Sequence, residues 1–323
     1  MTSSVRLKLA AFLIAAVVVG ACSSDSTGSN APTAHPDGTT VTATILNNGP
    51  WGAAVSSQGV VYVTRPLTDS VALVNLTGPT VTASFQVGHR PDDVAFNDAG
   101  DKAYVTNLDD NTVGVINTTT GIQTTTFPVG GQPFRILVGP GGGSLYVTRS
   151  DGYVVVLNAA TGAIDTTIAV GSTPNGLALN KTTGKLYVSA AGSGFVTEIN
   201  TSNNSTVRTL LVGGTPQDIA VVNSRNALYV ANEDGYLDIW NLGSGARSDS
   251  VGLHAPFGLA VTPDGEQAWV TQPTSSSVSV VNLTTHEISD SIPVGGTPRH
   301  IAFTPSGKVA VLANETGAVE TIK

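Results

Sequence analysis

PDDVAFNDAGDKAYVTNLDDNTVGVINTTTGIQTTTFPV, residues 91–129, decides the fold. It holds four short runs rich in β-branched and aromatic residues, at 94–96, 103–106, 113–116 and 122–129. Turn-forming stretches separate them at 97–100, 108–111 and 118–121. Four strands joined by tight turns make one blade of a propeller. The unit recurs as V-G-x-x-P-x-x-apolar-Ala, anchored on Pro50, Pro91, Pro133, Pro174, Pro216, Pro256 and Pro298, at spacings of 40 to 42 residues. A period of that length belongs to a solenoid or a propeller.

The ends of the repeat choose between those two. The unit that starts at Pro298 has room for three strands only. The missing fourth lies at the other end, where residues 40–46 (TVTATIL) match residues 80–86 (TVTASFQ). The expected fold is all-β: a seven-bladed β-propeller with four-stranded blades, its ring closed by residues 40–46 pairing with 319–322. Closure removes the two open edges an unclosed array would expose.

Composition agrees and narrows the function. The 323 residues include 36 Gly and 17 Pro, and only 12% are charged. A single Cys excludes a disulfide framework and a Cys-based metal site within the chain. A net charge of −8 excludes general nucleic-acid binding. No G-x-S-x-G, Walker A or H-E-x-x-H motif occurs. No cofactor is implied, and a monomer is expected.

Residues 1–22 read as a signal segment: Arg6 and Lys8, then an apolar run at 9–19, then Val19-Gly20-Ala21-Cys22. That last tetrapeptide resembles the lipobox of bacterial lipoproteins, in which the Cys carries the lipid. The resemblance implies a lipid attachment at Cys22 and a membrane-anchored, extracytoplasmic place in the bacterial cell envelope, at the outer membrane or cell surface. Residues 23–38 are a polar tether without large apolar side chains. The propeller then occupies 39–323.

Ala103-Tyr104-Val105-Thr106-Asn107 and its variants, such as Leu228-Tyr229-Val230-Ala231-Asn232, resemble the signature of YVTN-family β-propeller repeat proteins. The resemblance covers 39–323, is specific for fold and says little of function. Positions repeated from blade to blade, in six of the seven for the Ala (Leu137 is the exception) and for the Asn, read as packing or turn positions. These are the Ala four places after the proline, the Tyr or Trp of the second strand, and Asn75, Asn117, Asn158, Asn200, Asn241 and Asn282. Function is expected where the repeats disagree.

They disagree on one face, where the loop from strand four to the next strand one meets the loop from strand two to strand three. Arg65, Arg90, Arg135, Arg149 and Arg299 cluster there in neighbouring blades. Guanidinium forks suit carboxylate or phosphate, so a small anionic ligand, or an unidentified protein, is one expected partner. The competing reading is pairing with Asp92, Asp93, Asp109, Asp110 and Asp151 in the same loops. On the first reading, Arg135→Ala weakens anion binding with little loss of stability.

Trp51, Phe134 and Phe257 follow their prolines and either floor a ligand pocket or plug the channel. His300 joins the candidate ligand-binding set. His300 with Asp93 or Asp218 is the weak candidate for acid–base catalysis, and His89, His254 and His300 for a metal. The expected role is a lipid-anchored scaffold binding a ligand or protein. The alternatives are a lyase- or lactonase-like propeller enzyme, a propeller subunit of a redox complex, and a purely structural envelope protein.

Overall fold

The computed structural model describes Pro36 and residues 40–45, 49–78 and 80–323. The described residues all fall in the compact unit Ala34–Lys323. The signal segment with Cys22 and the tether, apart from Pro36, lie outside the described residues.

Seven four-stranded antiparallel sheets form the ring. Blades 1 to 6 span residues 53–86, 91–128, 133–169, 174–211, 216–252 and 259–293. Blade 7 takes three strands from 298–322 and its outermost strand, Val41–Ile45, from the other end of the chain. Val41 lies opposite Ile322 and Ile45 opposite Ala318, so the expected closure is present. Its last expected residue, Leu46, lies outside the described set. Short 3-10 turns at Pro66–Thr68, Pro140–Gly142 and Asn223–Arg225 are the only helical segments among the described residues. None is long and apolar enough to cross a membrane.

The core lies between blades. Tyr104, Val113 and Phe127 of blade 2 pack on Ile136, Leu145 and Val147 of blade 3. Val311, Ala313 and Val319 of blade 7 pack on Val61, Val63 and Val74 of blade 1, completing the circle. The second-strand aromatics Tyr62, Tyr104, Tyr146, Tyr187, Tyr229 and Trp269 are all buried, filling the widening space away from the axis. The third-strand asparagines form Asx turns: Asn75 Oδ1 accepts from Thr77 N, Asn117 Oδ1 from Thr119 N, and the other four likewise.

The Thr of the YVTN signature has a role the sequence left unassigned. Thr106 Oγ1 accepts from Asp93 N of its own blade (2.9 Å) and donates to Phe134 O of the next (2.7 Å). Thr64 joins Gly52 N to Asp92 O in the same way, Ser189 joins Gly176 N to Gln217 O, and Thr271 joins Gly258 N to Arg299 O. Each hydroxyl is a staple between two blades close to the axis. Where Ala231 replaces it, Asp218 N reaches Phe257 O directly at 3.3 Å.

Thr106→Val strands a buried amide and a buried carbonyl, and should lower unfolding free energy by about 1–3 kcal/mol in denaturant titration. A chain beginning at Gly49 leaves the edge Ala318–Ile322 bare. It should melt at lower temperature and scatter light on heating, where the full chain does not.

Candidate functional site at the channel mouth

Five of the seven first strands begin with the repeat proline and then lose register with the second strand, while those of blades 1 and 6 begin later, at Ala53 and Leu259. The shift falls between Pro91 and Val94, Pro133 and Ile136, Pro174 and Leu177, Pro216 and Ile219, and Pro298 and Ile301. Such bulges re-aim side chains. The two residues inside each bulge are the ones in which the blades differ.

The second residue after the proline reads, around the ring, Gly52, Asp93, Arg135, Gly176, Asp218, Gly258 and His300. The glycines are steric requirements: a Cβ on Gly52 would press on the Asp92 carbonyl, and one on Gly258 on the Arg299 carbonyl. The other four residues meet across the axis. Arg135 in blade 3 reaches Asp218 of blade 5 (3.3 Å), Asp93 of blade 2 (3.7 Å) and His300 Nδ1 of blade 7 (2.9 Å). Arg135 is only 9% exposed and His300 3%.

The acids are tied down as well. Asp93 accepts from Val94 N and from Ile136 N of the next blade, and Asp218 from Ile219 N and Leu259 N. Burial pushes the Asp93 carboxyl up, opposed by the Arg135 charge. Burial, then Arg135 and Arg299, holds His300 well below the usual imidazole range. His300 is therefore neutral. Its Nδ1 accepts from Arg135, which puts the proton on Nε2. That Nε2 and Arg135 Nε are buried without a partner among the described residues.

One residue nearer the proline is a second ring: Trp51, Asp92, Phe134, Asn175, Gln217, Phe257 and Arg299. Trp51, Phe134, Asn175, Phe257 and Arg299 are only part-buried, so this ring forms the mouth above the ion cluster. Trp51, Asp92, Phe134, Thr173, Pro174, Asn175 and Phe257 line a cavity of about 190 Å³. Trp51 and Phe257 meet edge to face at 6.1 Å, and both rings touch His300. The Arg299 guanidinium stacks 4.8 Å from each of them and is paired with Glu315 at 2.7 Å. Asn175 donates to Gln217, which donates to Glu233. Burial drives the Asp92 carboxyl up to about 7, with Arg135 pulling it down and Asp93 pushing it further up.

Four of the five arginines of this face pair with carboxylates: Arg90 with Asp109 (3.6 Å), Arg135 with Asp93 and Asp218, Arg149 with Asp151, and Arg299 with Glu315. Arg65 donates to Ser84 Oγ at 3.2 Å. Arg149 also donates to the Val129 carbonyl. That is the loop-clamping work which Asn232 does on Gly213 and Asn314 on Gly295. Local pairing is thus realised at these positions.

The three histidines are not brought together. His300 is at the axis, His89 is exposed with Nδ1 on Asp110 at 2.7 Å, and exposed His254 donates its backbone N–H to Gln272. Among the described residues no three His, Cys, Asp or Glu side chains are placed to hold a metal ion. Asn175 belongs to the mouth and was not singled out from sequence, and Asp92 was named there only as a partner for the arginines. Comparing the two residues after each repeat proline would have found them.

No protein-family model and no curated protein matches the sequence. The fold does have solved counterparts. A chain of a structure titled "Kuenenia stuttgartiensis Hydrazine Synthase" superposes with a TM-score of 0.77 at 18% identity, covering 87% of this chain and 97% of that one. At that identity the likeness is one of fold.

Arg135→Ala removes the counter-charge of two buried carboxylates. The sequence alone made this substitution mild; burial makes it costly, by about 3–5 kcal/mol in denaturant titration. Burial also sets a pH response. Asp92 and Glu320 both have folded-state values raised to about 7. Their contribution to stability is full below pH 4 and is lost as pH rises towards and through 7. Asp92→Asn with Glu320→Gln should flatten the fall in Tm between pH 5 and 8, a loss on the order of a few kcal/mol in the unsubstituted protein.

Proposed function

We propose that this protein is a binding propeller of the bacterial cell envelope, held by a lipid on Cys22, with its ligand site at the channel mouth. The observation that carries the reading is the coincidence of variation and concavity. The ring of residues after the prolines is a level at which the blades differ, and it encloses the cavity of about 190 Å³. Ligand sites are concave, mostly apolar, and furnished with a few placed polar groups. A ring of stapled blades holds such a mouth open without rearrangement, which lowers the cost of binding.

The geometry favours binding over the lyase- or lactonase-like alternative. Asp93 and Asp218 spend their oxygens on backbone amides and Arg135, and His300 Nδ1 is taken by Arg135. The lipid anchor rests on the lipobox-like residues 19–22 and on Cys22 being the chain's single cysteine. A propeller subunit of a redox complex has only likeness of fold behind it.

Two measurements test the reading. Expressed in a bacterium, the protein should partition into the detergent phase, and Cys22→Ser should move it to the aqueous phase. With full-length protein in dodecyl maltoside, a thermal-shift panel of small metabolites should raise Tm for at least one member. A ligand at about 100 times its Kd adds about 2.7 kcal/mol. Asn175→Trp fills the mouth and should abolish the shift. A shift that survives this substitution, or no shift with any compound, overturns the site.

A further inference from the structure

We infer that the mouth takes an alkylated ammonium head group, an assignment that rests on the binding reading above and names its ligand class. Three aromatic rings, Trp51, Phe134 and Phe257, line the cavity together with the carboxyl of Asp92. Aromatic faces carry negative potential and attract cations within about 6 Å of the ring centroid. The protein already uses two of these rings so: the Arg299 guanidinium lies 4.8 Å from both Trp51 and Phe257.

The charge beneath the mouth has the same sign preference. Asp92, Asp93 and Asp218 are gathered around a single buried guanidinium, Arg135, while His300 is neutral. Arg299, the other cation of the mouth, is matched by Glu315. An anion would enter a site whose arginines are already paired; a cation would meet an under-compensated set of carboxyls.

Size and hydrogen bonding narrow the class. The cavity exceeds the ~150 Å³ that accepts a benzene ring, so a trimethylammonium group with a short chain fits. A primary ammonium brings three donors that each need an acceptor. Asp92 is the one acidic residue of the lining, and Asn175, whose amide nitrogen is spent on Gln217, adds a single amide oxygen. A fully alkylated nitrogen makes no such demand and presents a charged, apolar surface to the rings.

Calorimetric titration of the full-length protein in dodecyl maltoside tests this with choline and tetramethylammonium, against 3,3-dimethylbutan-1-ol as the uncharged counterpart of choline. Choline should bind at least about tenfold more tightly than the neutral alcohol, a factor between those of an exposed and a desolvated cation–π contact. Asp92→Asn and Phe134→Leu should each weaken choline by about that factor while leaving the alcohol nearly unchanged for Asp92→Asn. The Tm of each variant reads whether it is folded. Equal binding of choline and the alcohol overturns the charge assignment. Absence of choline and tetramethylammonium binding, with another compound of the metabolite panel blocked by Asn175→Trp, overturns the ligand class and leaves the site standing. Insensitivity of every ligand to Asn175→Trp overturns the site itself.

Discussion

The hydroxyl staple at the end of the second strand is the directional contact that fixes four of the seven blade junctions. Blade-to-blade packing is otherwise hydrophobic and non-directional, and would tolerate sliding. Thr64, Thr106, Ser189 and Thr271 each accept one amide from their own blade and donate to one carbonyl of the next. That pair of bonds fixes adjacent first strands side by side at the axis. It also satisfies backbone groups that the bulge withdraws from the sheet, so the irregularity costs little.

Because the repeat proline fixes the entry of the first strand, by a bulge in five of the blades, the two residues after it are delivered to the axis whatever their identity. This separates scaffold from site. Glycine is placed where a neighbour's carbonyl leaves no room for a Cβ, as at Gly52 and Gly258. The remaining positions are free to vary, and they build an ion cluster around Arg135 with an aromatic mouth above it. The cluster is held in low dielectric, where unpaired charge is costly. Three bonding groups from three other blades therefore converge on one guanidinium.

Much of this was legible in the chain. The repeat prolines, the turn residues and the match of 40–46 to 80–86 specified blade number, strand number and closure, since each is a local or periodic property. The Asx role of Asn117 and its counterparts was equally local, two residues from donor to acceptor. The staple hydroxyls were visible as a repeat but not as bonds, because each joins groups that are 12 or 13 and 28 residues away. The strand beginning at Pro91, rather than at Val94, was also hidden, since a bulge breaks the alternation by which strands are recognised.

The arginines show the division most clearly. The sequence by itself determined that five of them share one face of a seven-bladed ring, because face and blade follow from the position within the repeat. It left open whether they wait for an anion or are paired. Only the tertiary structure decided that, by bringing Asp218 and His300, 83 and 165 residues distant, against Arg135 at the axis. Periodicity fixes where a side chain starts; which charges surround its end depends on contacts between blades far apart in the chain.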